Sequence, residues 1–284
     1  MKTHPLPPSR RDGEIETEQA GINNPSPREG VRVGFPSGRL EGVVCRYLQR
    51  TGFEAFTPKA VLFDMDGVLM NSMPNHAIAW QRSMASFGLK MTEADAYATE
   101  GARGIDTIRN LMKAQTGKDI TLEEAQRMYD EKTRQFGLLP KAQVMEGALE
   151  LHEKIHRDGL TICIVTGSGQ RPLINRLLTE FPRVTEERLV TAYDVKKGKP
   201  LPDPYLMGME KCGVKPWETI VVENAPLGVK SGNAAKAFTI AINTGILPDE
   251  ILWDAGADIV LSGMPELCER WRELMENVEC RVRV

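Results

Sequence analysis

Asp64 and Asp66 stand two residues apart in Phe63-Asp-Met-Asp-Gly67, and that spacing can do chemistry. On an extended chain, residues two apart face the same way, so both carboxylates converge. Like charges this close resist double ionisation, so one carboxyl holds a proton or a cation sits between them. A metal-neutralised Asp64 can attack phosphorus as a nucleophile. A proton-holding Asp66 can act as general acid and later as base. A bare DxDG is by itself only an acidic turn, and the reading depends on partners elsewhere in the chain.

Three further stretches supply candidates. Thr166-Gly167-Ser168-Gly169 puts a hydroxyl before small residues, so that backbone N–H groups and the following helix N-terminus can meet an anion. An ordinary strand-to-helix turn has the same composition. Lys199 lies in a loop stiffened by Pro200, Pro202 and Pro204, which would aim its ammonium at phosphate and Asp64. Lys196 and Lys197 read as a solvated basic loop. Glu223-Asn224 would supply oxygen ligands suited to Mg²⁺, or merely cap a helix before Pro226. His76, ten residues after Asp66, could reach the same place. His152-Glu-Lys-Ile-His156 matches the spacing of a zinc-protease helix. No third ligand is evident and the segment is charged, so a solvated helix face is expected.

These groups need a scaffold that delivers them to one edge. Ala60–Phe63 is a short, wholly apolar run, as expected of a strand buried on both faces of a parallel sheet. Gly67 permits a sharp turn after it. Between Asn75 and Leu139 the periodicity is helical without a strand-like run, and Thr121-Leu-Glu-Glu124 matches a capping box. Thereafter apolar runs at 160–166, 189–192, 219–222, 238–243 and 258–261 alternate with helical segments. The pattern predicts an α/β fold: a Rossmann-like, doubly wound parallel sheet with an inserted all-helical cap. Core segments are expected at 58–74 and 142–284 and the cap at 75–141, with hinges near 72–74 and 141–147. Every candidate then follows a strand, where open α/β sheets bind ligands.

Residues 1–57 carry Pro5, Pro7, Pro8, Pro25, Pro27 and Pro36 with many glycines, a composition expected to be disordered. Their one apolar cluster, 43–48, could form a turn or dock on the domain. The formal net charge is −3 with no basic stripe, so nucleic acid is not an expected partner. No apolar stretch is long enough for a membrane span, and no secretory signal is evident, so a cytoplasmic protein is expected. Five cysteines, odd in number and without close pairs, predict neither a zinc ribbon nor a disulfide framework.

The four stretches in this order, DxDG, TGS, KP and EN, resemble the haloacid dehalogenase (HAD) superfamily, and the insertion after the first resembles its subclass I cap. The resemblance covers roughly 59–270 and falls in the β-phosphoglucomutase-like group. It implies that Asp64 becomes an aspartyl-phosphate, that Asp66 protonates the leaving group and then activates water, and that Thr166 and Lys199 hold the phosphoryl group. It further implies Mg²⁺ on Asp64, the carbonyl of Asp66, and the Glu223-Asn224 corner. Within the group, FDMDGVLMNSMPNH, EGARG, VTGSGQ, VTAYDVKKGKP and VVENAPLGV are most similar to bacterial HAD-type inorganic pyrophosphatases. Mutases of the group usually carry a Lys-Gly-x-Ser-Arg stretch for a second phosphate; here Glu100-Gly-Ala-Arg-Gly104 stands instead. A carboxylate there would repel a second phosphate unless it binds the metal or a metal-bound water. The implied substrate is a small phosphorylated compound, pyrophosphate first and a sugar phosphate as the alternative, turned over by a monomer. A catalytically idle binding protein of the same fold is the other class, and intact Asp64, Asp66, Thr166 and Lys199 speak against it.

Overall fold

The computed structural model describes residues 42–276. In chain order they form α1 (Val43–Thr51), β1 (Ala60–Phe63), β2 (Met70–Asn71), α2 (Met73–Ser86), α3 (Glu93–Ala98), α4 (Gly104–Thr116) and α5 (Leu122–Gly137). There follow β3 (Gln143–Val144), α6 (Ala148–Arg157), β4 (Thr161–Val165), α7 (Arg171–Glu180), β5 (Leu189–Val190) and α8 (Asp203–Cys212). The chain continues through β6 (Thr219–Glu223), α9 (Pro226–Ala234), β7 (Phe238–Ile242), α10 (Asp249–Asp254), β8 (Ile259–Leu261) and α11 (Met264–Glu276).

Six strands make a parallel sheet in the order β5-β4-β1-β6-β7-β8. The chain winds from β1 to one edge and returns to build the other, so the order reverses beside β1. Alternate residues serve opposite layers. Val61, Phe63, Ile162, Ile164, Ile220 and Val222 pack with one set of helices. Leu62, Cys163, Val165 and Val221 pack with Tyr205 and Met209 of α8 on the other side. All four β1 side chains are buried, which explains why β1 reads as an unbroken apolar run.

Helices α2–α5 form the cap, with a core of their own that includes Met73, Trp80, Met84, Ile108 and Met128. The Thr121/Glu124 capping box is made as its sequence predicts, starting α5. Its two connections to the sheet domain are tied together: β2 pairs antiparallel with β3, Met70 opposite Val144. This two-residue ribbon is too short to be seen in a hydrophobic pattern; β2 adjoins the first segment expected to hinge, and β3 lies within the second.

The expectation of disorder across 1–57 falls mostly outside the described residues. Within them it is corrected by α1, whose Val43, Val44, Tyr47 and Leu48 are buried in the main core. The Tyr47 hydroxyl donates to the Lys236 carbonyl at 2.9 Å, and Arg50 forks onto Asp258 at 2.9 and 3.0 Å. Cys163, Cys212 and Cys268 are free thiols. Cys45 is disulfide-bonded, which counting and spacing did not anticipate. No helix among the described residues is long and apolar enough to cross a membrane.

Candidate active site

Because the sheet is parallel, β1, β4, β5 and β6 end at one edge, and the loops leaving them meet there. Asp64 follows β1 and is buried, its N–H still in the sheet ladder to Val222 O at 3.0 Å. Lys199 arrives from the loop after β5. Its ammonium donates to Asp64 Oδ1 at 2.5 Å, Glu223 Oε1 at 2.6 Å and the Val165 carbonyl at 3.1 Å. Both carboxylates hold Lys199 charged well above its ordinary range, overcoming a burial that works the other way. Tyr205 of α8 donates to the same Glu223 oxygen at 2.7 Å. The second Glu223 oxygen accepts the N–H groups of Asn224 and Ala225 at 3.0 and 3.3 Å. Glu223 is thus at the site, but its oxygens are engaged in fixing Lys199 and the turn. In this arrangement Glu223 positions Lys199.

Thr166 directly follows β4, and its hydroxyl oxygen accepts the Ser168 N–H at 3.0 Å, which bends the loop over the edge. Gly167 and Ser168 line the same cavity as Asp64 and Asp66. At Gly167 a Cβ would strike the Gly101 carbonyl of the cap, so this close approach needs glycine. Asp66 is held by three residues, of which sequence reasoning found one. Ser72 Oγ donates to Oδ1 at 2.5 Å, His76 Nε2 approaches the same oxygen at 2.9 Å, and Lys132 Nζ lies 2.6 Å from His76 Nδ1. With an ammonium donating to Nδ1, the imidazole carries its hydrogen on Nε2 and donates to Asp66. Burial works to raise the Asp66 pKa, but His76, Ser72 and Lys132 outweigh it and hold the group below the usual carboxylate range. Lys132 had a signal in the sequence: it falls four residues from both Met128 and Phe136, on the apolar stripe of α5.

Glu100 comes from the cap and is buried against the core, where Asn224 Nδ2 donates to its Oε1 at 3.1 Å. A Cβ on Gly67 would collide with that Asn224 amide, and Gly67 has φ of 81°. Four carboxylates, Asp64, Asp66, Glu100 and Glu223, therefore gather here, with Lys199 bonded to Asp64 and Glu223 and Lys132 acting on Asp66 through His76. Burial, only partly offset by Lys199, pushes Asp64 up to about 8, and burial with the Asp64 charge raises Glu100 well above its ordinary range. With these side chains alone and no metal cation among them, burial favours protonated Asp64 and Glu100, while the contacts of Asp66 favour its carboxylate.

The donor set fits a hard divalent cation. Asn224 Oδ1 is buried with no hydrogen-bond partner, an orphaned oxygen beside Asp64 and Glu100. Among the described residues no cluster of three or more His, Cys, Asp or Glu side chains is arranged for a metal. Such a set would not suit zinc, whereas one or two carboxylates, a neutral amide oxygen and backbone carbonyls suit Mg²⁺.

The zinc-type pair separates. His152 is buried, stacked on Phe63 at 4.9 Å between ring centroids and tilted against Phe181, while His156 is exposed. His152 is thus not part of a solvated face, and burial lowers its pKa to about 4.

Residues 61–242 match the family model of haloacid dehalogenase-like hydrolases. The chain is 36% identical over 185 residues to hexitol phosphatase A of Escherichia coli, covering 65% of this chain and 83% of that one. It is 31% identical over 177 residues to a phosphorylated carbohydrates phosphatase of Thermotoga maritima, covering 62% and 81%. A solved structure from Bacteroides vulgatus, provisionally described as a β-phosphoglucomutase, superposes with a TM-score of 0.81 at 46% identity, covering 84% of this chain and 97% of that one.

Proposed function

The chain belongs to the haloacid dehalogenase-like hydrolases, and from that premise we propose that it is a Mg²⁺-dependent phosphatase of small phosphorylated compounds, with Asp64 as nucleophile. One observation carries the reading: Lys199 bonds both Asp64 and Glu223 at the carboxyl edge of the sheet. Such a pairing fixes the attacking carboxylate and a compensating cation before substrate arrives. Asp64, Asn224 Oδ1 and the Asp66 carbonyl would hold Mg²⁺, with Glu100 adjacent. When bound, the ion would keep Asp64 ionised and offset charge on the transferring phosphoryl group.

The residues then divide the work. Asp64 Oδ forms a bond to phosphorus as the bond from phosphorus to the leaving oxygen breaks, giving an aspartyl-phosphate. Thr166, the Gly167-Ser168 N–H groups and Lys199 bind the phosphoryl oxygens. Asp66, oriented by Ser72 and His76, passes a proton to the leaving oxygen. Because its contacts hold it as a carboxylate, that proton arrives with the substrate phosphate, whose second ionisation lies near neutral pH. Asp66 then takes a proton from the water that attacks phosphorus and frees Asp64. The cavity lies between cap and core residues, so closure of the cap over bound substrate would exclude water.

The relatives' names support sugar and polyol phosphates as the substrate class, and none of the three is named for pyrophosphate hydrolysis. A second reading, hydrolysis of inorganic pyrophosphate, is favoured by Glu100. Its buried carboxylate, bonded to Asn224, draws the cap down onto the metal corner and leaves a compact site. The test is a panel of pyrophosphate, glucose 1-phosphate and hexitol phosphates with Mg²⁺, repeated on Glu100→Lys. Preference for a carbohydrate ester supports the first reading. Preference for pyrophosphate that Glu100→Lys abolishes supports the second. No turnover of any of them would contradict the phosphatase assignment.

A further inference from the structure

The loop that leaves β7 supplies no group to the phosphoryl-transfer site, yet it reaches the same sheet edge and touches both core and cap. Strand β7 pairs with β6, so the loop opens beside Glu223 and Asn224. Its base is tied off by Asn243. The Asn243 N–H donates to the Leu261 carbonyl at 2.7 Å, and Asn243 Nδ2 donates to the Leu247 carbonyl at 2.9 Å and to Asp249 Oδ1 at 2.5 Å. Residues 244–247 are thereby presented as one short, braced bend.

Toward the core, Thr244 Oγ1 donates to the Gly67 carbonyl at 2.6 Å. Gly67 directly follows Asp66, and its own N–H donates to the Met70 carbonyl at 2.8 Å. Its Cα is wedged at the point where core meets cap: a Cβ there would collide with the Asn224 amide and lie 3.2 Å from Glu100 Oε1. Toward the cap, Gly245 passes the Tyr97 ring so closely that a Cβ would stand 3.0 Å from it, and Leu247 packs against the apolar core of the cap. Tyr97 belongs to α3, and its carbonyl accepts the Glu100 N–H at 3.3 Å. One bend of chain therefore bears on the turn after Asp66 with a hydroxyl, and on the helix before Glu100 with backbone and a leucine.

We propose that Thr244 is a positioning residue, and that through it the bend after β7 couples seating of the cap to the orientation of the Asp66–Gly67 turn. The apolar contacts at Gly245 and Leu247 set how firmly the cap sits, and they carry no direction. The hydrogen bond is directional, and it converts the seated bend into one orientation of the Gly67 carbonyl. Asp66 must meet first the leaving oxygen and then water, so a small displacement of its turn is costly in rate. The effect on turnover rests on the phosphatase reading, whereas the effect on mobility does not.

The test measures amide hydrogen exchange at 64–72 and 93–100 in the full chain, for wild type, Thr244→Val, Thr244→Ser and Leu247→Ala. Valine keeps the branched shape and removes the hydroxyl; serine keeps the hydroxyl. Thr244→Val is expected to speed exchange in both segments about 5-fold or more, with Thr244→Ser within about 2-fold of wild type. Leu247→Ala, which acts on the cap contact, is expected to speed exchange at 64–72 as well, because coupling between two sites is reciprocal. Faster exchange confined to 64–72 in Thr244→Val makes the bond a local brace and overturns the proposal, as does a wild-type pattern in that variant. If Thr244→Val does not fold, Leu247→Ala decides, and unchanged exchange at 64–72 overturns the coupling. Kinetics separate positioning from simple loosening. On the substrate that the wild type turns over fastest, Thr244→Val should lower kcat about 10-fold with KM within about 3-fold, and Thr244→Ser should recover most of kcat. A loss carried by KM alone overturns the positioning role. Should the wild type turn over no phosphorylated substrate, the phosphatase reading fails, and the exchange pattern still decides the coupling.

Discussion

Lys199 in the sheet domain bonds Asp64, Lys132 in the cap reaches Asp66 through His76, and both lysines are buried. The core lysine is bonded to two carboxylates, which hold it charged. The cap lysine has a neutral imidazole and three rings, and its pKa falls to about 7. Burial is alike, so the partners make the difference. The sheet edge is a finished electrostatic unit, with its cation already matched to Asp64 and Glu223. The cap lysine bonds no carboxylate directly among the described residues and acts on Asp66 through His76.

Lys199→Met should break this contrast most severely. It strands Asp64 and Glu223 as unpaired buried carboxylates, which costs about 3–5 kcal/mol of stability. Urea unfolding should show that loss, and kcat should drop about 1,000-fold or more. His152 tests whether burial alone explains a depressed base, since it too lacks a charged partner. An unfolded histidine charges below about 6.5, whereas this one stays neutral down to about 4. Protons therefore favour the unfolded chain between those values, and stability falls as the pH drops through that window. Between pH 7 and 4 the wild type should lose roughly 3 kcal/mol more than His152→Phe, read by urea unfolding at each pH. Tyr205→Phe removes one donor from Glu223 and sharpens the core half of the contrast. About 1 kcal/mol of stability should go, with a several-fold fall in kcat. Lys132→Met should change stability least, within about 1 kcal/mol and in either direction, because it removes a buried charge that meets Asp66 only through His76. A loss as large as that from Lys199→Met would show that Lys132 is compensated after all.

Much of the fold was legible because each strand of the sheet is a short apolar run and each follows a helix. The cap was legible as the one long stretch of helical periodicity. Six-residue α3 and α10 and the ribbon of β2 and β3 were not, since they are shorter than the periods that would reveal them. α1 was legible only as an apolar cluster at 43–48 that could dock, because proline-rich sequence around it suggested disorder; Tyr47 and Leu48 give it a buried face. In the site, Asp64, Asp66, Thr166, Lys199, Glu223 and Asn224 could be placed because strand ends in a parallel sheet converge. Tyr205 could not: it sits inside α8, where a tyrosine reads as core. Lys132 is flanked by Glu131 and Arg134, and a lysine in such company reads as solvated. Glu223 was found by type and position, but which atoms its oxygens bond is a property of packing, which spacing does not encode.

The central claim is that Asp64 takes the phosphoryl group. Rapid acid quench during turnover, followed by borohydride reduction and peptide mass spectrometry, tests it directly, because borohydride reduces an acyl phosphate of aspartate to homoserine. Homoserine at position 64, absent without substrate and absent in Asp64→Asn, is the predicted result. An unmodified Asp64 under conditions where substrate is demonstrably consumed would contradict it.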